Sequence, residues 1–430
     1  MHNNANAWQQ DNLTKLLHSQ SPSNQPAALS QWQSDALERF LKQTFPNRKT
    51  ESWKYTSTAA IQSQQYTLAP MSPIAAPQPL IKDCCELVFN GGQLCYLSGP
   101  LPEGCTVVPL LSLADQIDWQ TMLSLHDQKH GLFSDLNAAF AHHTQVIQLK
   151  AGQSIPTPIL IRHRVGQSAQ PVMQHPRILV MAGENSQATV IEVFESEGDT
   201  VFTNAVTQLY ISDGATLHYS KHQNEHRSTH HIAHTTAHVA RDAEFLATFF
   251  SQGAQLSRDT IRIDLLGPDA ATDISGLYVP GEQQVMDFQL TINHMARSCR
   301  SRQQFNGVAH HNGKGVFNGT VVVPQAGAGA TAHQKNSNIL LSKHAKIFAK
   351  PQLEIFTDDI SCSHGATIGD LDPAAVFYLT ARGLPEQQAR ALLLEGFMTD
   401  VINHISDHAW QQYIKSALKN IFLSAAPRDK

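Results

Sequence analysis

The apolar positions of this chain follow two different periods. Near the start, Leu29, Trp32, Ala36, Leu37, Phe40 and Leu41 recur at helical spacing, and Pro46 marks a stop. Helix is predicted over residues 1 to about 60. The following stretch is rich in Gln and Pro, with Pro70, Pro73, Pro77 and Pro79 close together. Prolines so dense suit an extended linker and fit neither a helix nor a central strand. From about residue 84 the period becomes two. Met286, Phe288, Leu290 and Ile292 alternate with Asp287, Gln289 and Thr291, and Ile261, Ile263 and Leu265 repeat the pattern. Residues 319–324 form a β-branched run closed by Pro324. No amphipathic helix interrupts residues 186–360, which predicts a long all-β region without βαβ alternation.

A longer period lies over the strands. Short elements of the form polar-x-Ala-x-apolar recur as SQATV, DGATL, RDAEF and PDAAT. Their alanines, Ala188, Ala215, Ala243 and Ala271, are 27, 28 and 28 residues apart. Fixed spacing in a β-rich chain predicts stacked coils, each burying its face against the next. A β-sandwich is the competing architecture. After about residue 370 the pattern is helical again. Asp372 caps a helix with Pro373 at its first position, and Gly383 ends it. Pro385 opens a second helix with Ala389, Leu392, Leu393, Phe397, Val401 and Ile405 on one stripe. A third holds Trp410, Ile414, Leu418 and Ile421. The expected organisation is an N-terminal helical domain (1–61), a linker (62–83), a β core (84–369) and a C-terminal helical domain (370–430). Helices at both ends would cap coil edges that otherwise invite aggregation.

Composition narrows the function classes. The chain has 430 residues, 41% hydrophobic and 16% charged, too apolar to be disordered as a whole. A formal net charge of −5 supplies no global cationic field for nucleic acid or anionic lipid. No run of about 18 apolar residues occurs, so no membrane span is predicted. The first residues, MHNNANAWQQDNLTKLL, lack the features of a signal peptide, and a cytoplasmic location is expected. Six cysteines without a CxxC pair exclude a structural zinc ribbon and a disulfide scaffold. There is no GxSxG, HExxH or GxxxxGK[ST] signature, and no nucleotide site of the chain's own is visible. The glycines at 307, 313, 315, 319, 327 and 329 are expected in tight turns and bulges.

Three constellations remain. Histidine is abundant, at 23 residues, and His218, His222, His226, His230, His234 and His238 fall every four residues, with His231 alongside. Such a ladder suggests a transition-metal site, yet a Gln-Asn-Glu turn in its middle divides the six between surfaces. The second is Asp358-Asp359-Ile-Ser-Cys362-Ser-His364-Gly365, which places a thiol and an imidazole at i, i+2. On an extended strand both project from one face. A sulfur donor beside a nitrogen donor suits iron or a cluster, but two ligands need more from a second chain. A buried structural cysteine beside a hydrogen-bonded histidine is the plainer alternative. The third is basic: Arg297, Arg300 and Arg302, with Lys335, Lys343, Lys346 and Lys350 nearby, either an acidic-group site or the decoration of a strand face.

Several strings together resemble one family. DDISCSHGATIGDLDPAAVFYLTARGLPEQQARALLLEGF (358–397) resembles the C-terminal junction of the SufB/SufD family of iron–sulfur cluster assembly scaffolds. PNRKTESWKYT (46–56) is similar to its N-terminal motif, and HHNGKGVFNGTVVV and AHQKNSNILLSKHAKIFAKPQLEIF (310–356) are similar to its β core. The resemblance implies a mainly β fold, a right-handed parallel β-helix between N-terminal and C-terminal helical domains. It implies a non-enzymatic scaffold that pairs with a SufB-like paralogue and, through its C-terminal helices, with a SufC-like ABC ATPase that carries the ATPase activity. A transient iron–sulfur cluster would be shared with the partner. The family's interface histidine matches His364 and its neighbouring cysteine matches Cys362. Reduced flavin on the complex and a homodimer of the isolated chain are further options. Two other classes compete. A carbohydrate-active β-helix would need paired carboxylates on one face, whereas the adjacent Asp358 and Asp359 point to opposite faces. A histidine-rich metal-binding or metallochaperone protein on a β-solenoid would rest on the ladder.

Overall fold

The period-two segments form strands that stack in parallel. A computed structural model of the chain describes residue 13 and residues 26–70, 77–113, 131–197 and 200–424, with side chains to residue 419. The predicted helix before residue 26, Pro73 and the side chain of Ile421 lie outside the described residues. Strands alternate between two sheets. One runs Gln145–Leu149, Arg177–Ala182, Val201–Ile211, His230–Val239, Leu256–Leu265, Val285–His294, Lys314–Val323, Lys346–Ile355. The other runs Cys85–Asn90, Ser154–Val165, Gln187–Ser196, Thr216–Gln223, Glu244–Ser251, Ala271–Tyr278, Arg300–Ala309, Ala330–Leu340, Ile360–Gly369. The chain is a β-solenoid, and the sandwich alternative falls.

The alanine period has a physical origin at the coil corners. Asn185, Gly214, Asp242 and Asp269 all sit at positive φ, where the short polar side chains of Asn and Asp, and glycine, are tolerated. A corner residue turns the chain, and a small buried residue follows it inward. Register shows that Ala215, Ala243 and Ala270 are the stacked set, since Glu244, Ala271 and Arg300 donate their amides to these three carbonyls. Ala188 and Ala271 lie a residue or two further along. The period is therefore that of the coil, although two of the four alanines are not the stacking ones.

The two ends of the stack differ. At the start, Gln93–Leu97 runs antiparallel to Cys85–Asn90, and Cys105–Pro109 runs antiparallel to Gln145–Leu149. The helix Leu132–Ala139 is buried along its whole length, against the helix Ala27–Lys42 and the strand Val201–Ile211. At the far end, Lys346–Ile355 and Ile360–Gly369 each pair with one neighbour only among the described residues. Those two strands are open edges.

The N-terminal helix ends at Lys42, well short of residue 60. Pro46 disfavours helix for the residue before it, and the following chain makes two short helical pieces, Glu51–Trp53 and Ala59–Gln62, with the segment around the first held to the sheet by side chains. Thr56 donates to Asp287, Arg258 pairs with Asp287 and stacks 3.9 Å from the Trp53 ring, and Tyr55 stacks on Phe348 at 3.9 Å. The segment 46–56 is thus an anchor on the outer face of the first sheet. Inside the proline-rich stretch, Thr67–Leu68 makes a two-residue parallel pairing with Val172–Met173. At the C-terminus, Asp372 caps the helix Pro373–Thr380 by accepting from the Ala374 amide at 2.9 Å. In the helix Glu386–Ile402 the buried side is Ala389, Leu394, Met398, Val401 and Ile402, while the predicted Leu392 is exposed. That helix is apolar on more than one side, so periodicity alone could not select the buried one.

The interior is apolar through most of its length: Ile161, Val190, Leu217, Phe245, Ile261, Ile263, Phe288 and Leu290 share one core. Charged groups interrupt it. Glu192 accepts from Thr207 at 2.8 Å and from Tyr219, and faces His163 Nε2 at 2.8 Å. Hydrogen bonds hold the Glu192 carboxyl below the usual range despite its burial. Lys221 is ion-paired with Asp259, the two side chains being 2% and 4% exposed. Breaking a buried pair strands a charge, so Lys221→Met should lower stability by about 3–5 kcal/mol, with much of the loss recovered in Lys221→Met/Asp259→Leu. Urea denaturation checks this; an unchanged midpoint in the single variant would refute the pair's structural role.

Candidate functional site at the open end of the solenoid

The last strand, Ile360–Gly369, takes its inward face from the register of the strand beneath. Cys362 stacks on Ala332, His364 on Gln334, Ala366 on Asn336 and Ile368 on Asn338. The lower four are buried, so all of them point into the solenoid. Cys362 and His364 therefore share the inward face, as the i, i+2 spacing predicts. Because no further coil among the described residues covers them, His364 is exposed and Cys362 half-buried. Cys362 packs against an apolar group of Val321, Val323, Ala330 and Ala332. Burial there pushes its thiol above the ordinary value, which keeps it protonated and a weak nucleophile at neutral pH. Asp359 lies in the bend before the strand, where its carbonyl accepts from Gly329 at 2.7 Å. On the outer face, Ser363 meets His333 at 2.8 Å. The strand leads directly into the helices, and Arg390 reaches back to Asp370 at 3.4 Å.

Below His364, Ala366 and Ile368 lies a floor of carboxamides. Asn336 donates to Phe305 O at 3.0 Å, Asn338 donates to Asn336 and to Thr367 O, and Tyr278 donates to Asn338 at 2.5 Å. Gln334 donates to Gln303 at 3.1 Å. The sequence signal for this floor is the run of polar residues at alternate positions, Gln334, Asn336 and Asn338, in the inward phase of the strand.

Three of the strings that resemble a scaffold family, the junction at 358–397 and the two β-core strings within 310–356, thus fall on the open end and the coils behind it. The SufBD core domain of the SUF system for FeS cluster assembly matches residues 163–397, from the strand Ser154–Val165 to the helix Glu386–Ile402. The chain belongs to the SufBD family of iron–sulfur cluster assembly proteins. Similar members include the iron–sulfur cluster assembly protein SufD of Escherichia coli, 29% identical over 88% of this chain and 89% of that protein. The chloroplastic protein ABCI7 of Arabidopsis thaliana is 27% identical over 94% and 88%. A SufBD family protein of Synechocystis is 28% identical over 84% of each. No helix of this SufBD protein, among the described residues, is long and apolar enough to cross a membrane.

The other constellations disperse in the SufBD fold. His218 and His222 lie under the C-terminal helices, where His218 contacts Ser406 at 3.1 Å and His222 is enclosed by Trp410 and Tyr413. His226 is in a loop and bonds Ser228. His230, His234 and His238 lie on the outer face of the opposite sheet, with His238 stacked on Tyr210. His231 points inward, 2.7 Å from Glu225. No group of three or more His, Cys, Asp or Glu among the described residues is placed to hold a metal ion. The basic residues separate too. Arg302 bridges Asp273 and His404, while Lys350 pairs with Glu51 on the other sheet. Of the six glycines, Gly313, Gly327 and Gly329 sit at turns as expected, and the other three do not. Gly307, Gly315 and Gly319 lie within strands, where a Cβ would meet Tyr278 on the adjacent strand at Gly307, and Tyr278 or Gln334 across the lumen at Gly315 and Gly319.

His222 gives the ladder a structural consequence. Its ring is fully buried with neither nitrogen hydrogen-bonded, and burial pushes its pKa down to about 3. The unfolded chain takes up that proton below about pH 6.5, so the unfolded state binds more protons and stability falls as pH drops through this window. Replacing His222 by Phe should cut the loss between pH 7 and pH 5 by about 2 kcal/mol. Urea midpoints at the two pH values test it, and an identical pH dependence in parent and variant would contradict it.

Proposed function

We propose that the chain is a non-enzymatic scaffold subunit of SufD type, working with a SufB-like paralogue and a SufC-like ABC ATPase to build nascent iron–sulfur clusters and pass them on. The observation that carries this is the display of Cys362 and His364 on an inward face that no coil covers, beside two unpaired strand edges. Two donors are too few for a stable cluster, so the end of a second solenoid supplies the rest. Unpaired parallel edges are also the natural place for strand addition, which joins two such ends without new secondary structure. His364 is the ligand of this chain. Its exposed imidazole offers a ring nitrogen to iron, whereas the protonated Cys362 thiol supports packing or adds a second donor on deprotonation. The cluster is cargo here, made from delivered sulfur and iron and shared between the chains.

The C-terminal helices suit the ATPase contact. Phe377, Tyr378 and Leu392 are large, apolar and exposed there, with Phe377 at 73%. ATP binding would close the ATPase subunits, pull on these helices and, through the Arg390–Asp370 link, move the strand that carries His364. We further read the coil as right-handed, the location as cytoplasmic, and the isolated chain as able to pair with itself through the same open end. Reduced flavin on the complex is assigned to no residue of this chain.

Expression of a tagged chain in its native host should co-purify an ABC-type ATPase and a paralogous solenoid protein. His364→Ala should abolish or sharply reduce cluster assembly while the melting transition is kept, and Cys362→Ala should give a milder defect. Normal assembly by His364→Ala would sink the site. A lone chain carrying bound transition metal would favour the histidine-rich metal-binding alternative.

A further inference from the structure

We propose that Gln334 is a positioning residue for His364: its side-chain carbonyl accepts a hydrogen bond from one imidazole N–H and thereby presents the other ring nitrogen to the nascent cluster. This inference rests on the reading of His364 as a ligand.

Four observations converge on Gln334. It is the residue in register beneath His364, on the same inward face. Stacked residues of a parallel ladder lie about 4.8 Å apart, within reach of one side-chain hydrogen bond. Gln334 is 4% exposed, its Nε2 donates to Gln303 one coil below, and its Oε1 is buried without a partner. An orphaned buried carbonyl costs about 1–3 kcal/mol, so a site that retains one gains by meeting a donor there. Finally, Gly319 on the opposite strand leaves the room that this amide occupies, since a Cβ at Gly319 would lie 1.9 Å from Gln334 Nε2. The amide is thus fixed from below by Gln303 and from across the lumen by the backbone of Gly319.

The chemical consequence follows from the tautomers of imidazole. A neutral ring has one N–H and one lone pair, and only the lone pair binds metal. A fixed acceptor against one nitrogen selects the tautomer and orients the ring, the usual task of residues behind a metal-binding histidine. Exposed at the end of the stack, His364 has the freedom to choose wrongly, and Gln334 removes it. Assembly at an interface that forms only transiently benefits most, because the ring is aligned before the partner arrives.

The test is tautomer-resolved nitrogen NMR on the full-length chain labelled at histidine, with the His364 signals assigned by difference from His364→Gln. In the parent one tautomer should dominate by roughly three- to tenfold, the bias that a single neutral hydrogen bond supplies. Gln334→Met, which keeps the volume and removes the acceptor, should bring the two tautomers to near parity. Gln334→Glu, which keeps an acceptor, should retain the bias. Gly319→Ala, which displaces the amide without touching it chemically, should lose it, and serves also if Gln334→Met fails to fold. Cluster assembly by the purified complex should fall by about tenfold or more in Gln334→Met and be restored in Gln334→Glu. An unchanged bias in both Gln334→Met and Gly319→Ala, or loss of bias in Gln334→Glu, would overturn the proposal. The NMR readout needs no cluster. A retained bias with normal assembly by His364→Ala would therefore count against the ligand reading and leave the hydrogen bond standing.

Discussion

A parallel stack of coils satisfies each strand edge with the next strand, and so it must end somewhere. That constraint organises this molecule. At its start the stack is closed by two antiparallel strands and covered by helices. At its far end two edges are left open, and the inward face of the last coil, which would be core in any other coil, becomes surface. A thiol and an imidazole in that position are held rigidly by sheet register yet remain reachable. The fold leaves these two donors exposed by ending on an uncovered strand.

The coils behind the open end are built to support it. Most of the lumen is filled by aliphatic and aromatic side chains, as a solenoid core requires. Beneath the terminal strand the filling changes to carboxamides, and glycines on the facing strand make the space for them. Polar groups in a core are costly unless satisfied. Asn336 and Asn338 are bonded to one another and to backbone, whereas Gln303 and Gln334 bond each other and each keep one buried amide atom without a partner. The floor is therefore specific in geometry while adding little net stability. It joins the exposed pair to a rigid body and does not tie it to a flexible loop.

The sequence was legible where one residue type answers one physical need. Alternation at 256–294 marked strands because one sheet face is buried, and the Asp372–Pro373 cap was visible because an N-terminus needs an acceptor and a fixed φ. The coil period was readable through Asp242 and Asp269, which mark corners, although the stacking alanines were misplaced by a residue or two. Cys362 and His364 were correctly placed on one face, since a strand leaves no other choice. What stayed hidden depended on neighbours far along the chain. The helix of residue 27 ends at Lys42 because 46–56 is captured by Asp287 and Phe348, more than 200 residues later. The buried side of Glu386–Ile402 is chosen by the sheet beneath it. The histidine ladder looked like one feature and is three, because a turn between strands sends its members to different faces.

The central claim is that the edge of Ile360–Gly369 is completed by another solenoid when the scaffold works. Hydrogen–deuterium exchange of this strand, in the isolated chain at low concentration and in the complex purified with its partners, tests it most directly. An edge strand has about half its amides without a sheet partner. Those amides should exchange rapidly in the isolated chain and become protected in the complex, while strands such as Glu244–Ser251 in mid-stack stay protected in both. Equal exchange of 360–369 in the two states, in a complex that assembles clusters, would contradict the account.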